Sequence, residues 1–417
     1  MTKTKKWLCA GLCAVFAFAA VGCSSDGPTI ATVNGEKITN AQYRQIFDFY
    51  ARQYGLTDLE SEENADMIEY LQNAIVDMLI DEEVQMQKAR EMGLDTLSAE
   101  EEAEVDAQVT EMLDYWKQQF TTIVQMENAD LSEEELSARA DEEVQNYLEE
   151  LGYTQQSLRA DLRLSFVLNK LMEATTADVS VSDEEVQQAY EGRVEEIQTI
   201  YADDPSVFET DYYSGTTLYY TPAGFRRVKH ILIAMDDADA TEISTLRAAG
   251  SEEEANAKRE EALAKIQQQA QEVRDQIVPD GSNFDDIMAH NSDDPGSTEK
   301  GYAVCQENSS FDLDFVDGVY ALRQPGTISD LIPSDYGYHI VYYVEDLQEG
   351  VTPLSDVQEA LRSELLETAR SNAYNDLVAQ WREAATVETM LDQINYDSFD
   401  AGDETEESAD DTQAEAS

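Results

Sequence analysis

A chain of 417 residues with 42 % apolar content is long enough for two or three packed domains and too apolar to be disordered throughout. Its 88 acidic side chains outnumber 27 basic ones, for a net charge of −61. Such a surface repels nucleic-acid phosphates and anionic lipid headgroups, so binding to either is not expected.

The first residues read as an export segment. Lys3, Lys5 and Lys6 precede an uncharged run from Trp7 to Gly22 that is too short and too rich in Ala and Gly for a membrane span. It ends in AVGC followed by Ser24, Ser25 and Asp26, which resembles the lipobox of bacterial lipoproteins. Residues 1–22 are therefore expected to be a signal peptide and Cys23 a lipidated (palmitate-type) residue, with 23–29 as its linker. Cys9 and Cys13 leave with the signal, so Cys305 stands alone, and in YAVC it reads as a small core residue.

The stretch ATV-NG-EKI predicts a hairpin turning at Asn34-Gly35. Thr39 or Asn40 then caps a helix with Tyr43, Ile46, Phe47 and Tyr50 on one face. A longer helix carries Met67, Ile68, Leu71, Ile75, Met78, Leu79 and Met86 and stops near Gly93. Further helices start at Ser98, Ser132 and Thr154. The last of these is apolar on two faces, which places it centrally in its module. Residues 30–176 thus form an N-terminal helical domain in this reading.

Residues 177–224 hold a Ser182-capped helix and, over 201–222, an aromatic connector. From 225 to 347 the pattern changes to an α+β domain between the strands RVKHILIA and YHIVYYVED, interrupted by an insertion at about 235–258 that reads as a surface excursion. Residues 353–386 return to helix; its stripe cannot be buried alone, so it is expected to dock on the helical module. The acidic tail, 387–417, is expected to be disordered.

Two of the three histidines, His230 and His339, sit inside strand-like runs, and period-two alternation puts His230 with Val228 and Leu232, and His339 with Val341 and Tyr343. Two neutral imidazoles can satisfy each other as donor and acceptor, which makes burying both tolerable. On the residues alone, the pair can equally serve the fold, and Asp294 in Asp-Asp-Pro-Gly can be a turn residue. His290 reads as a residue of a helix C-terminus. No nucleotide motif, metal-type spacing or convincing nucleophile appears, so no metal and no cofactor is expected.

The KHIL-type strand, the NSDDPGS turn, FDLDF, ALRQPGTIS and GYHI follow one another in an order that resembles the parvulin family of peptidyl-prolyl cis/trans isomerases over about 225–347. The flanking hairpin, the VSDEEV helix and the closing helix resemble the longer PrsA and SurA kind of extracytoplasmic foldase. The resemblance implies an α+β protein: a mostly helical chaperone module, completed by the C-terminal helix, with an inserted parvulin-like domain of small sheet and helices. It implies catalytic positions at His230, Asp294, Ser334 and His339, and substrate-binding positions at Phe311, Phe315, Ala303 and Tyr336. KGYAV replaces the family's GGDLG-type run, keeping Gly301 but putting Ala303 where a pocket leucine is usual, which implies a wider proline site.

The expected activity is isomerisation of Xaa-Pro bonds in exported, unfolded polypeptides, with holdase action, at the outer side of a bacterial cell membrane. Phosphorylated segments are excluded, because Met235-Asp236-Asp237 stands where phosphate-directed relatives place cations. The alternative is a non-catalytic holdase whose parvulin domain has degenerated. A homodimer is left open.

Overall fold

The structure is a computed structural model describing residues 27–396, apart from Thr57, Glu60, Ala129, Asp130, Ser297 and Glu299. The expected signal peptide, Cys23 and the expected tail beyond 396 lie outside the described residues, while the part of that tail before 397 is ordered, with a strand at Val387–Thr389. The described residues form two compact units, one running up to Val179 and resuming at Thr368, the other Ser180–Glu367.

The first unit is helical around a small sheet. Strands β1 (Thr29–Val33) and β2 (Glu36–Thr39) form the hairpin, with Asn34 at φ 54 and Gly35 at φ 90, the left-handed pair that a tight two-residue turn requires. A third strand, Val387–Thr389, pairs with β1 on its other side. Helices Asn40–Gln53, Ala99–Glu127, Glu133–Glu150 and Gln155–Thr175 each begin with a reciprocal capping box, at Thr39, Ser98, Ser132 and Thr154. The Ala65–Glu91 helix buries Ile68, Leu71, Ile75 and Leu79 as its stripe predicts. Met67 and Met78 differ: they are exposed, because the buried face turns toward Val76, Ile80 and Val84 instead. Leu164, Val167 and Leu171 of Gln155–Thr175 are buried, the last two against Ala89 and Tyr374.

The second unit pairs β3 (Tyr220–Thr221) with Gly350–Val351 and is built on a sheet of order β5-β4-β7-β6, all antiparallel, where β4 is Arg226–Ala234, β5 Tyr302–Val304, β6 Ile332–Pro333 and β7 Gly337–Asp346. One sheet face, with Ile231, Ile233 and Ile340, is covered by helices Glu252–Gln276 and Phe284–Asn291 through Ala270, Val273, Phe284 and Met288. The other face, with Val228, Val341 and Tyr343, is covered by the Leu313–Ala321 helix through Phe315, Val316 and Val319.

Two segments are more ordered than their composition suggests. The aromatic stretch 201–222 contains the helix Pro205–Ser214, begun by an Asp204 side-chain cap and a proline and ended by Gly215 at φ 78. The insertion at 235–258 is not a loose excursion. It forms the Asp237–Ala248 helix, capped by Asp236, and the start of Glu252–Gln276. Ile243 is wholly buried with Met235, Ala262 and Leu263, and Asp239 bridges Lys258 and Lys265 at 3.1 and 2.7 Å. The Leu354–Ala384 helix packs Val357 and Leu361 with Val186 and Tyr219 in the second unit, while Tyr374 and Trp381 pack within the first.

Candidate active site

Register decides where the histidines meet. Leu232 lies opposite His339 and His230 opposite Val341, so the two histidines are diagonal neighbours on one face of the β4–β7 pair. Their Nδ1 atoms are 3.1 Å apart, and both residues are buried. The outer nitrogens are also engaged. His230 Nε2 lies 2.7 Å from Asp294 Oδ2, and His339 Nε2 lies 2.8 Å from the Ser334 hydroxyl. Asp294 further accepts the Tyr302 hydroxyl at 2.7 Å and the Gly296 amide at 2.9 Å. Ser334, wholly buried, accepts the Tyr336 amide at 3.1 Å.

The protons in this chain can be placed without charging either ring. Burial raises the Asp294 carboxyl, but the hydrogen bonds from His230, Gly296 and Tyr302 outweigh it and hold it well below the carboxylate range. An ionised Asp294 only accepts, so His230 donates its Nε2–H and leaves Nδ1 to accept. Burial, with His230 beside it, lowers the His339 pKa to about 3, so this ring is neutral. His339 then donates from Nδ1 to His230 and accepts the Ser334 proton at Nε2. Burial and the Asp294 bond raise the Tyr302 phenol, which stays a donor. The charge therefore rests on Asp294, whose side chain is 20 % exposed against 8 % for His230, so Asp294 is where the buried network meets solvent.

An aromatic wall stands over the network. Phe315 is buried with its ring centroid 5.2 Å from that of His230 and 5.0 Å from that of His339. Phe311, half-buried, lies 5.5 Å from Phe315 and meets Tyr302 edge-on at 5.4 Å. Six of the eight positions implied by the resemblance thus come together: His230, Asp294, Ser334, His339, Phe311 and Phe315.

Two do not. Tyr302 pairs with Val228 in the β4–β5 ladder and so shares the histidine face, while Ala303 points to the opposite face and packs with Tyr201, Phe208, Phe225 and Cys305. Tyr336 is 60 % exposed and reaches the network only through its amide. No motif in the sequence singles out Tyr302; the alternation that pairs it with Val228 is the signal that points to it. Gly301 is required next to it: at φ 72 a Cβ there would lie 2.2 Å from the Val228 carbonyl oxygen. His290 is exposed at the end of its helix, with Nδ1 2.7 Å from the Asp286 carbonyl. Cys305 is buried, and burial together with the Glu209 hydrogen bond pushes its thiol up to about 12. Among the described residues no group of three or more His, Cys, Asp or Glu side chains is placed so that it could hold a metal ion.

Residues 230–345 match the family of the PPIC-type PPIase domain. The chain carries a parvulin-type peptidyl-prolyl isomerase domain. Residues 1–122 match the SurA-like N-terminal domain, so the isomerase domain follows a SurA-like segment in the chain. The foldase protein PrsA of Clostridium kluyveri is 23 % identical over 398 residues, spanning 90 % of this chain and 94 % of the relative. That of Clostridium botulinum is 25 % identical over 370 residues, spanning 87 % and 88 %. Among solved structures, PrsA from Bacillus subtilis is similar at 17 % identity over 86 % of this chain and 92 % of that one, with a TM-score of 0.23. A SurA-like chaperone from Campylobacter jejuni is similar at 12 % identity over 87 % and 99 %, with a TM-score of 0.33.

Proposed function

We propose that the isomerase domain uses the Asp294–His230–His339–Ser334 network to isomerise Xaa-Pro bonds in unfolded, exported polypeptides, within a membrane-anchored foldase that also holds its clients. The observation that carries the reading is an ionised carboxylate fixed by three hydrogen bonds at the open end of a neutral, buried network, below an aromatic wall.

The chemistry fits that equipment. Rotation about the Xaa-Pro bond must cross a barrier of about 20 kcal/mol and makes no covalent bond. The planar amide owes its stiffness to charge separation, with negative charge on oxygen and positive charge on nitrogen. Twisting removes that separation. An apolar pocket disfavours the dipolar planar form, and a carboxylate placed near the carbonyl oxygen disfavours it further. Phe311 and Phe315 would seat the proline ring, Asp294 would face the carbonyl, and the two histidines with Ser334 would keep Asp294 oriented and ionised. A nucleophilic route has little to work with, because Ser334 is wholly buried and the Cys305 thiol is held protonated.

The position of Ala303 removes one ground for a non-catalytic, holdase-only reading, since the residue that faces the network is Tyr302. Preference for unphosphorylated segments is supported by the use made of the cations nearby. Arg247 is paired with Asp335 at 2.8 Å, and Arg259 with Asp314 at 2.5 Å. Anchoring rests on Cys23; no helix among the described residues is long and apolar enough to cross a membrane. The division of labour we propose places holding in 30–176 and isomerisation in 225–347. Exchange NMR of a Xaa-Pro peptide with the full chain tests the central claim: cis/trans exchange is expected to accelerate well above background, and background exchange would refute it.

A further inference from the structure

The Pro205–Ser214 helix precedes both the 230–345 match and the first strand of the isomerase sheet, yet its side chains reach under the pocket. Glu209 is 2 % exposed, and its two oxygens accept five hydrogen bonds from one short stretch. They come from the Cys305 amide at 3.0 Å, the Cys305 thiol at 3.2 Å, the Ser309 hydroxyl at 2.7 Å, and the Ser310 amide and hydroxyl, both at 2.7 Å. That stretch, 305–310, has no helix or strand of its own, and Asn308 sits at φ 56. A segment without a backbone ladder must find other acceptors for its amides, and Glu209 supplies them. The restraint passes to the next residue, because the Phe311 amide donates to Ser309 Oγ at 3.2 Å. The same helix presents Tyr213, whose ring lies nearly parallel to that of Tyr302 at 5.3 Å and 8°.

We propose that Glu209 is a positioning residue for the isomerase: by gripping 305–310 it fixes where Phe311 meets Tyr302, and so sets how tightly the proline ring is seated. The inference rests on the reading of this site as a prolyl isomerase pocket. Glu209 touches none of the reacting atoms. Its five donors are neutral groups, and the two backbone amides among them cannot turn into acceptors. A carboxamide would therefore set an N–H against a fixed N–H at one oxygen or the other, which makes Glu209→Gln a shape-preserving test.

The experiment measures kcat and KM for a Xaa-Pro peptide, and the Kd of the peptide by NMR titration, with the full chain and its Glu209→Gln variant. KM and Kd are expected to rise about three- to tenfold while kcat stays within about twofold and the pH profile keeps its shape. A role confined to stability would instead lower the active fraction, reducing apparent kcat with KM and Kd unchanged, and that result overturns the proposal. If Glu209→Gln does not fold, Ser309→Ala/Ser310→Ala, which removes two hydroxyl donors but no amide, decides it: a smaller rise in KM and Kd supports the proposal, unchanged values refute it. If the wild-type chain binds the peptide without accelerating exchange, the isomerase reading fails, and Kd alone still decides whether Glu209 seats the proline.

Discussion

Replacing Asp294 by asparagine keeps the shape of the side chain and removes one of its two acceptors. In the native site Oδ1 accepts from Gly296, while Oδ2 accepts from both His230 and Tyr302. With its oxygen toward His230, the amide sets an N–H against the Gly296 amide and the turn loses its bond. With its oxygen toward Gly296, the amide N–H faces His230, which must change tautomer to accept at Nε2. His230 then donates at Nδ1, His339 accepts there and donates from Nε2, and Ser334 must turn its proton toward the Gly337 carbonyl, 3.4 Å away. The whole chain of protons reverses. A hydrogen bond to a charged group contributes about 1.5–3 kcal/mol and a neutral one about 1 kcal/mol, so weakening two and misplacing a third is expected to cost about 2–4 kcal/mol. Loss of the charge at the open end is expected to lower kcat/KM about a hundredfold, the scale of one electrostatic contact to a reacting centre. Urea unfolding reads the first number and exchange NMR the second, while nitrogen-15 imidazole spectra report the tautomers. A folded variant with native exchange rates and native tautomers would refute this account of the site.

Three further outcomes follow from other groups. The lowered pKa of His339, from 6.5 to about 3, means that the unfolded chain takes up the proton first; stability of the isomerase domain should fall as pH drops from about 6.5 toward 3, and His339→Gln should flatten that limb of the urea midpoint against pH. Glu82 behaves in the opposite sense: burial, with Asp161 nearby, raises its carboxyl to about 8, so its contribution is present at low pH and lost as pH rises from 4.5 to 8. Glu82→Gln is accordingly expected to stabilise the N-terminal unit by up to about 4 kcal/mol at pH 8 and to do little at pH 4, measured by denaturant unfolding. Cys23→Ser should abolish incorporation of labelled palmitate and release the protein from the membrane fraction, and a variant that still pellets with membranes would contradict the anchor.

Much of the frame was legible because local signals and burial agree. Asn34-Gly35 predicts its turn, and Ser or Thr followed three residues later by Glu, Gln or Ser marks helix starts at Thr39, Ser98, Ser132, Thr154 and Ser182. Alternation groups His230 with Val228 and Leu232, and His339 with Val341 and Tyr343, but that the two groups share a sheet face and touch needs a register that no strand carries alone. The failures have physical causes too. Met67 and Met78 fit a helical stripe by spacing, yet a helix that long drifts past its neighbours and leaves them outside. Ala303 followed from aligning a motif, whereas the ladder to β4 gives the inward position to Tyr302. Glu209 is one of 88 acids in a chain where acid usually means surface, and nothing in its own neighbourhood distinguishes it.

The contact between the histidines has a consequence for how the domain comes to exist. His230 and His339 are 109 residues apart, and they touch only when β4 and β7, the first and last strands of the four-stranded sheet, have zipped together. Closing a loop of that length costs on the order of 4 kcal/mol in chain entropy, recovered only when both ends are present. A nascent chain emerging from an export channel amino-end first would carry His230 long before it carried His339. No truncated or half-folded intermediate holds the network, so the activity proposed for it should appear in one step, with the last strand.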